Sequence, residues 1–186
     1  GYIYPGKGIE TLLQAFRSVS RRDKTVRLVL VGGKLEILDR RQECADYFDM
    51  LHRLTDELGL ADRVTWTGHF NWDDDAGSQY LHGGDVCVLP FDYGVTLNNS
   101  SLAAASTHGL PVISTELAKG RDEALDHGRH IYLCPPRDPD LLAEAIQLIR
   151  NNTPLRERLR SGAQDLARQW YTWDTTAQRL ASVLLS

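Results

Sequence analysis

The stretch from Val86 to Thr115 constrains this chain most, because its residue types change in an order that suits one supersecondary unit. Val86, Val88 and Leu89 form an apolar run too short for a helix, and Leu110, Val112 and Ile113 form a second. Pro111 is tolerated only near a strand start. Between the runs, Asn98, Asn99, Ser100 and Ser101 are residue types that cap a helix, and Gly109 is the type that ends one. The order predicts strand, loop, small-residue helix, tight turn and strand, which is a βαβ unit. Its helix starts at the carboxyl end of a strand, where unpaired N–H groups and the positive end of the helix dipole suit an anion such as a diphosphate. A plain crossover with ordinary caps has the same pattern, so the flanking chain decides between the two.

That chain alternates strand and helix signals. Tyr2–Tyr4 reads as the tail of a first strand closed by Pro5–Gly8, and Ile9, Leu12, Leu13 and Phe16 then recur at helical spacing. Lys7 therefore stands just before a helix. Val26–Val31 is the next strand, turned by Gly32 and Gly33, and a polar connection from Lys34 to Arg41 leads to a helix marked by Cys44, Phe48, Leu51 and Leu58 and stopped by Gly59. Arg63–Thr67 alternates as a strand; a short helix follows, with Asn71 as its N-cap and Asp73, Asp74 and Asp75 in its first turn. Complementation of the helix dipole explains those acids more simply than a cation site. Ile131–Cys134 is a last strand, Asp138-Pro139 and Thr153-Pro154 start two helices, and Thr172 opens a final one.

The expected architecture is a single α/β domain over residues 1–186, a Rossmann-like doubly wound parallel sheet of about six strands with helices on both faces. Ligands bind such sheets outside the carboxyl ends of the strands. Four loops converge there: Pro5–Gly8, Gly32–Lys34, Gly68–Trp72 and Phe91–Ser101.

Composition removes several functions. With 21 basic against 25 acidic residues there is no electrostatic footprint for nucleic acid. No apolar run is long enough for a transmembrane segment, and no signal segment opens the chain. Cys44, Cys87 and Cys134 form no CxxC pair, so a reducing, cytoplasmic compartment without disulfides is expected. The six histidines lack metal-ligand spacing, and no metal is expected. Because the chain starts at Gly1 and enters structure at once, it is expected to be one domain of a longer protein.

Six segments in register carry a family likeness. Gly1–Gly8, Leu28–Gly33, Leu58–Gly68, Asp85–Pro90, His108–Ile113 and Pro135–Ile146 together resemble the C-terminal domain of GT-B-fold retaining glycosyltransferases, the group 1 family, over nearly the whole chain. The resemblance implies a domain that binds a nucleotide-diphosphate sugar as donor substrate, with no further cofactor. It also implies an N-terminal acceptor domain, absent here, through which the protein reaches the inner membrane face, and metal-independent sugar transfer of the hexosyltransferase class in the cleft between the two. This chain alone is then expected to be inactive. By position, Lys7 matches a diphosphate-binding cation, and Thr96, Leu97, Asn98, Asn99, Ser100 and Ser101 match the phosphate-binding helix start. His69 and Phe70 match the loop near the base, and Glu123 an acid facing the sugar.

The departures fall on the chemistry. Of the family's spaced pair of glutamates, the second is replaced by Ala104 and the first by Thr96 when counted back from Gly109 or by Gly94 when counted forward, and Asp92 is the only carboxylate nearby. Tyr2 stands where a second cation is usual, and Asn98 and Asn99 stand where some members carry two basic residues. An amide donates to phosphate without charge, so a weaker hold is expected and no catalytic residue is assigned. Two functions remain open: the donor half of a glycosyltransferase, or a transferase-derived binding or scaffold module with weakened donor binding.

Overall fold

In chain order the elements are α1 (Ile9–Arg22), β1 (Leu28–Leu30), α2 (Arg41–Glu57), β2 (Val64–Trp66), α3 (Ala76–His82), β3 (Cys87–Leu89), α4 (Ser100–Thr107), β4 (Val112–Thr115), β5 (Tyr132–Cys134), α5 (Pro139–Asn151), α6 (Thr153–Trp170) and α7 (Trp173–Leu184). They are seen in a computed structural model that describes residues 1–34, 41–71, 75–120 and 122–184. All strand pairs are parallel: β1 with β2, and β3 with β4 with β5. The segment from Gly1 to Gly8 joins the two groups. Ile3 N–H donates to Gly33 O at 2.8 Å on the β1 side, and Asp92 N–H donates to Gly6 O at 3.1 Å on the β3 side.

Neighbouring residues of one strand enter different cores, which is how a sheet covered on both faces reads. Val112 and Leu133 pack in a cluster with Leu102 and Ala105 of α4 and Leu166 of α6. Their neighbours Ile113 and Cys134 pack with Leu13 and Phe16 of α1, Leu51 of α2, and Leu142 and Ile149 of α5. Leu13, Leu51, Leu142 and Ile149 are at most 1% exposed, so each contributes roughly 1.5–3 kcal/mol by leaving water. The doubly wound α/β architecture is therefore present, with five strands among the described residues.

Two local expectations are corrected. The segment Tyr2–Tyr4 forms a single parallel bridge, Ile3 to Lys34, because Pro5 and Gly6 turn the chain immediately afterwards. The described part of α3 begins at Ala76, with Asp75 at the cap position and Phe70 against Gly77, so the first turn expected after an Asn71 cap falls on residues outside the described ones. The cap of α6 is Asn152, not Thr153; its Oδ1 accepts from Leu155 N–H at 3.0 Å. Trp72, Asp73 and Asp74, and residues 35–40 of the polar connection, lie outside the described residues.

Candidate functional site

The carboxyl ends of β1, β2 and β3 meet the Gly1–Gly8 segment at one rim of the sheet. Thr67 ties β2 to β1 there: its Oγ1 accepts from Gly32 N–H at 3.0 Å and donates to Leu30 O at 3.2 Å. Gly32 sits at φ 136, and a Cβ on it would lie 1.6 Å from Gly1 O, so only glycine allows the two backbones to cross. The Gly1 nitrogen donates to Val31 O at 2.7 Å, and a side chain at Gly1 would meet Ser101 Oγ at 3.0 Å. The start of α4 is thus brought against the first residues of the chain. Gly8, at φ 67, makes the second crossing, since a Cβ there would lie 1.8 Å from Pro90 O.

Lys7 precedes that crossing. Its Nζ lies 4.9 Å from the Tyr4 ring centre and 4.8 Å from that of Phe91, the first residue after Pro90. Two aromatic faces hold the ammonium by cation–π attraction, and it has no carboxylate partner among the described residues.

At the α4 start, Asn99 is the cap: its Oδ1 accepts from Ser101 N–H at 3.0 Å and Leu102 N–H at 3.1 Å. Two of the donors expected to be open are therefore closed by the protein itself. The Leu97 N–H is also taken, by Asp122 Oδ2 at 2.9 Å, and Asn99 N–H donates to Thr96 O at 3.1 Å. Among the described residues, the backbone N–H groups of Thr96, Asn98 and Ser100 have no protein partner. Three alternating donors thus stand open beside a neutral cap, with no acidic residue in the first turn of the helix.

The other sequence candidates divide. His69 stays at the rim, its ring edge-on to Tyr2 at 5.7 Å and packed on Gly33. Phe70 turns toward α3, against Gly77 and 6.0 Å from the Tyr80 ring. Glu123 is exposed and unpaired among the described residues, whereas its neighbour Asp122 reaches the α4 loop.

Three residues at or near this rim carry no site role in the sequence reading. Asp122 and Tyr171 both bind Leu97, the latter through its hydroxyl to Leu97 O at 2.9 Å. Arg137, with a left-handed φ of 59, pairs with Asp92 at 3.3 Å and lies 5.7 Å from the Tyr93 ring. A non-glycine residue in that backbone region was the kind of feature no local pattern announces.

Titration narrows the chemistry. Burial pushes the Cys87 thiol to about 12 and the Cys134 thiol to about 11, so neither is a nucleophile at neutral pH. Burial and the hydrogen bond to Glu10, at 2.5 Å, raise the Tyr47 hydroxyl well above its ordinary value. No group of three or more His, Cys, Asp or Glu residues suited to a metal ion occurs among the described residues. No helix there is long and apolar enough to cross a membrane.

Comparison with known proteins gives the fold and the family. The GDP-mannose-dependent alpha-(1-6)-phosphatidylinositol monomannoside mannosyltransferase of Mycobacterium tuberculosis is 31% identical, over 98% of this chain and 45% of its own length. Anabaena Alr3699/HepE, crystallised in complex with UDP, superposes with a TM-score of 0.81 at 24% identity, covering 99% of this chain and 46% of that one. Sucrose-phosphate synthase from Thermosynechococcus elongatus gives 0.80 at 27% identity, covering 99% and 43%. The chain spans a little under half the length of these proteins, and its fold is the Rossmann-like half of a GT-B architecture. The family model of the Glycosyl transferases group 1 matches residues 1–152, from the Gly1 crossing through the whole of α5, and the chain belongs to that family.

Proposed function

We propose that the rim formed by Lys7 and the Thr96–Ser101 loop holds the diphosphate of a nucleotide-sugar donor. The chain is then the donor half of a glycosyltransferase whose acceptor binds a second, N-terminal domain. The observation that carries this reading is an ammonium lacking a carboxylate partner, beside Phe91, together with three open backbone N–H groups at a helix start with no acid in its first turn. Charge develops on the leaving diphosphate as the sugar departs, and fixed donors stabilise it without reorganising. The hydroxyls of Ser100 and Ser101 and the side-chain amide of Asn98 add neutral donors. In this reading His69 and Phe70 belong to the loop that takes the base, and Glu123 to the loop that takes the sugar.

The names of similar proteins support a nucleotide donor, GDP-mannose in one and UDP in another. Transfer proceeds without a metal or other cofactor, in the cytoplasm, and needs both domains. The test is calorimetric titration of the chain with UDP, GDP and ADP: micromolar binding of one is expected. Silence at millimolar concentration supports the second reading, a transferase-derived binding module. That reading is favoured by Asn99, which occupies two N–H groups a phosphate would use.

A further inference from the structure

Leu97 is gripped through both of its flanking peptide groups by segments far apart in sequence. Its N–H donates to Asp122 in the loop after β4, and its carbonyl accepts from the Tyr171 hydroxyl at the end of α6. Neither grip is loose. Asp122 Oδ1 also accepts from Ala124 N–H at 3.2 Å, and Asp122 O accepts from the N–H of buried Leu125 at 2.9 Å. The Leu97, Trp170 and Tyr171 side chains pack on one apolar cluster. Burial, with the Asp122 charge next, pushes the Tyr171 hydroxyl to about 12, so it remains a donor at any pH the protein meets.

A planar trans peptide points its carbonyl and the following N–H in opposite directions. No cis peptide occurs among the described residues. Fixing the Leu97 carbonyl therefore fixes the direction of the Asn98 N–H, the middle one of the three open donors. We propose that Tyr171 is a positioning residue for the donor: by holding Leu97 O it aims the Asn98 N–H at the diphosphate, with Asp122 holding the adjacent peptide in place. This rests on the donor reading above. It makes the α6–α7 junction, rather than the phosphate loop alone, a determinant of diphosphate affinity.

The test is Tyr171→Phe in the full chain, titrated with GDP and UDP and, in parallel, with guanosine and uridine. Diphosphate affinity is expected to fall about fivefold to tenfold while nucleoside affinity is unchanged. Equal losses for diphosphate and nucleoside, or an unchanged diphosphate affinity, overturn the proposal while leaving the donor reading intact. A wild-type chain that binds none of the probes overturns both. Tyr171→Met also lacks the hydroxyl but keeps an adaptable apolar side chain for the cluster. It is expected to give the same selective loss, which keeps the test decisive should Tyr171→Phe disturb the helix junction.

Discussion

Two helices begin in nearly the same way and are left with opposite electrostatics. At α5 the Asp138 side chain accepts from Asp140 and Leu141 N–H at 3.1 and 2.9 Å; at α4 the Asn99 side chain accepts from Ser101 and Leu102 N–H at 3.0 and 3.1 Å. The hydrogen bonds match, but the charges do not. The α5 start carries the Asp138 carboxylate and Asp140 in its first turn, whereas α4 has a neutral cap and no acid in its first turn; the Asp122 carboxylate meets only the preceding loop, at Leu97 N–H. The nearby cations differ as well: Arg137, next to the α5 cap, is paired with Asp92, while Lys7 has no carboxylate partner among the described residues. Capping geometry and dipole compensation are thus separable. A helix start whose dipole is already met by carboxylates serves the fold, and one capped by an amide keeps its preference for an outside anion.

The largest expected effect comes from making the two starts alike. Asn99→Asp keeps the cap and adds a charge, so the melting temperature should hold or rise while UDP or GDP affinity drops by about 2–3 kcal/mol through like-charge repulsion. Unchanged affinity by calorimetry would mean that the α4 start meets no phosphate. Next, Lys7→Ala removes the unpaired cation and should weaken the same ligands by about 1–3 kcal/mol, with little change in the thermal melt. The reverse exchange, Asp138→Asn, is smaller. It should cost about 0.3–1 kcal/mol of stability in a urea titration and leave nucleotide affinity where it was.

The smallest effect lies at the far ends of α1 and α5. Hydrogen bonds from Thr25, side chain and then backbone, together with Arg150 in the last turn of α5, hold the Asp23 carboxyl at about 2. A carboxyl depressed in the folded state stabilises above its unfolded value, about 4, and loses that contribution as pH falls through the folded one. Asp23→Asn should therefore be less stable than wild type at neutral pH, with the gap closing between pH 4 and about 2. A gap that stays constant through that window would contradict this role.

What was legible in the residues was what is local. The Asp138-Pro139 start, the Gly59 stop and the α4 cap all follow from interactions within a few positions, and they lie where their residue types indicate. Among four capping types in a row, only coordinates could single out Asn99, because each of the four satisfies the same local rule. Phe70, a residue read for the site, packs on α3 instead, a tertiary contact that no local pattern reports. Asp122 and Tyr171 left no trace in the pattern: they meet Leu97 across 25 and 74 residues, and no periodicity reports such a pairing.

The most direct measurement follows backbone amides by NMR while UDP or GDP is added. The Thr96, Asn98 and Ser100 amides should shift and saturate with the calorimetric affinity, while those of Asp140 and Leu141 at the α5 start stay fixed. Shifts at the α5 start with a silent α4 loop would contradict the central claim that the amide-capped start of α4 is where the donor's phosphates sit.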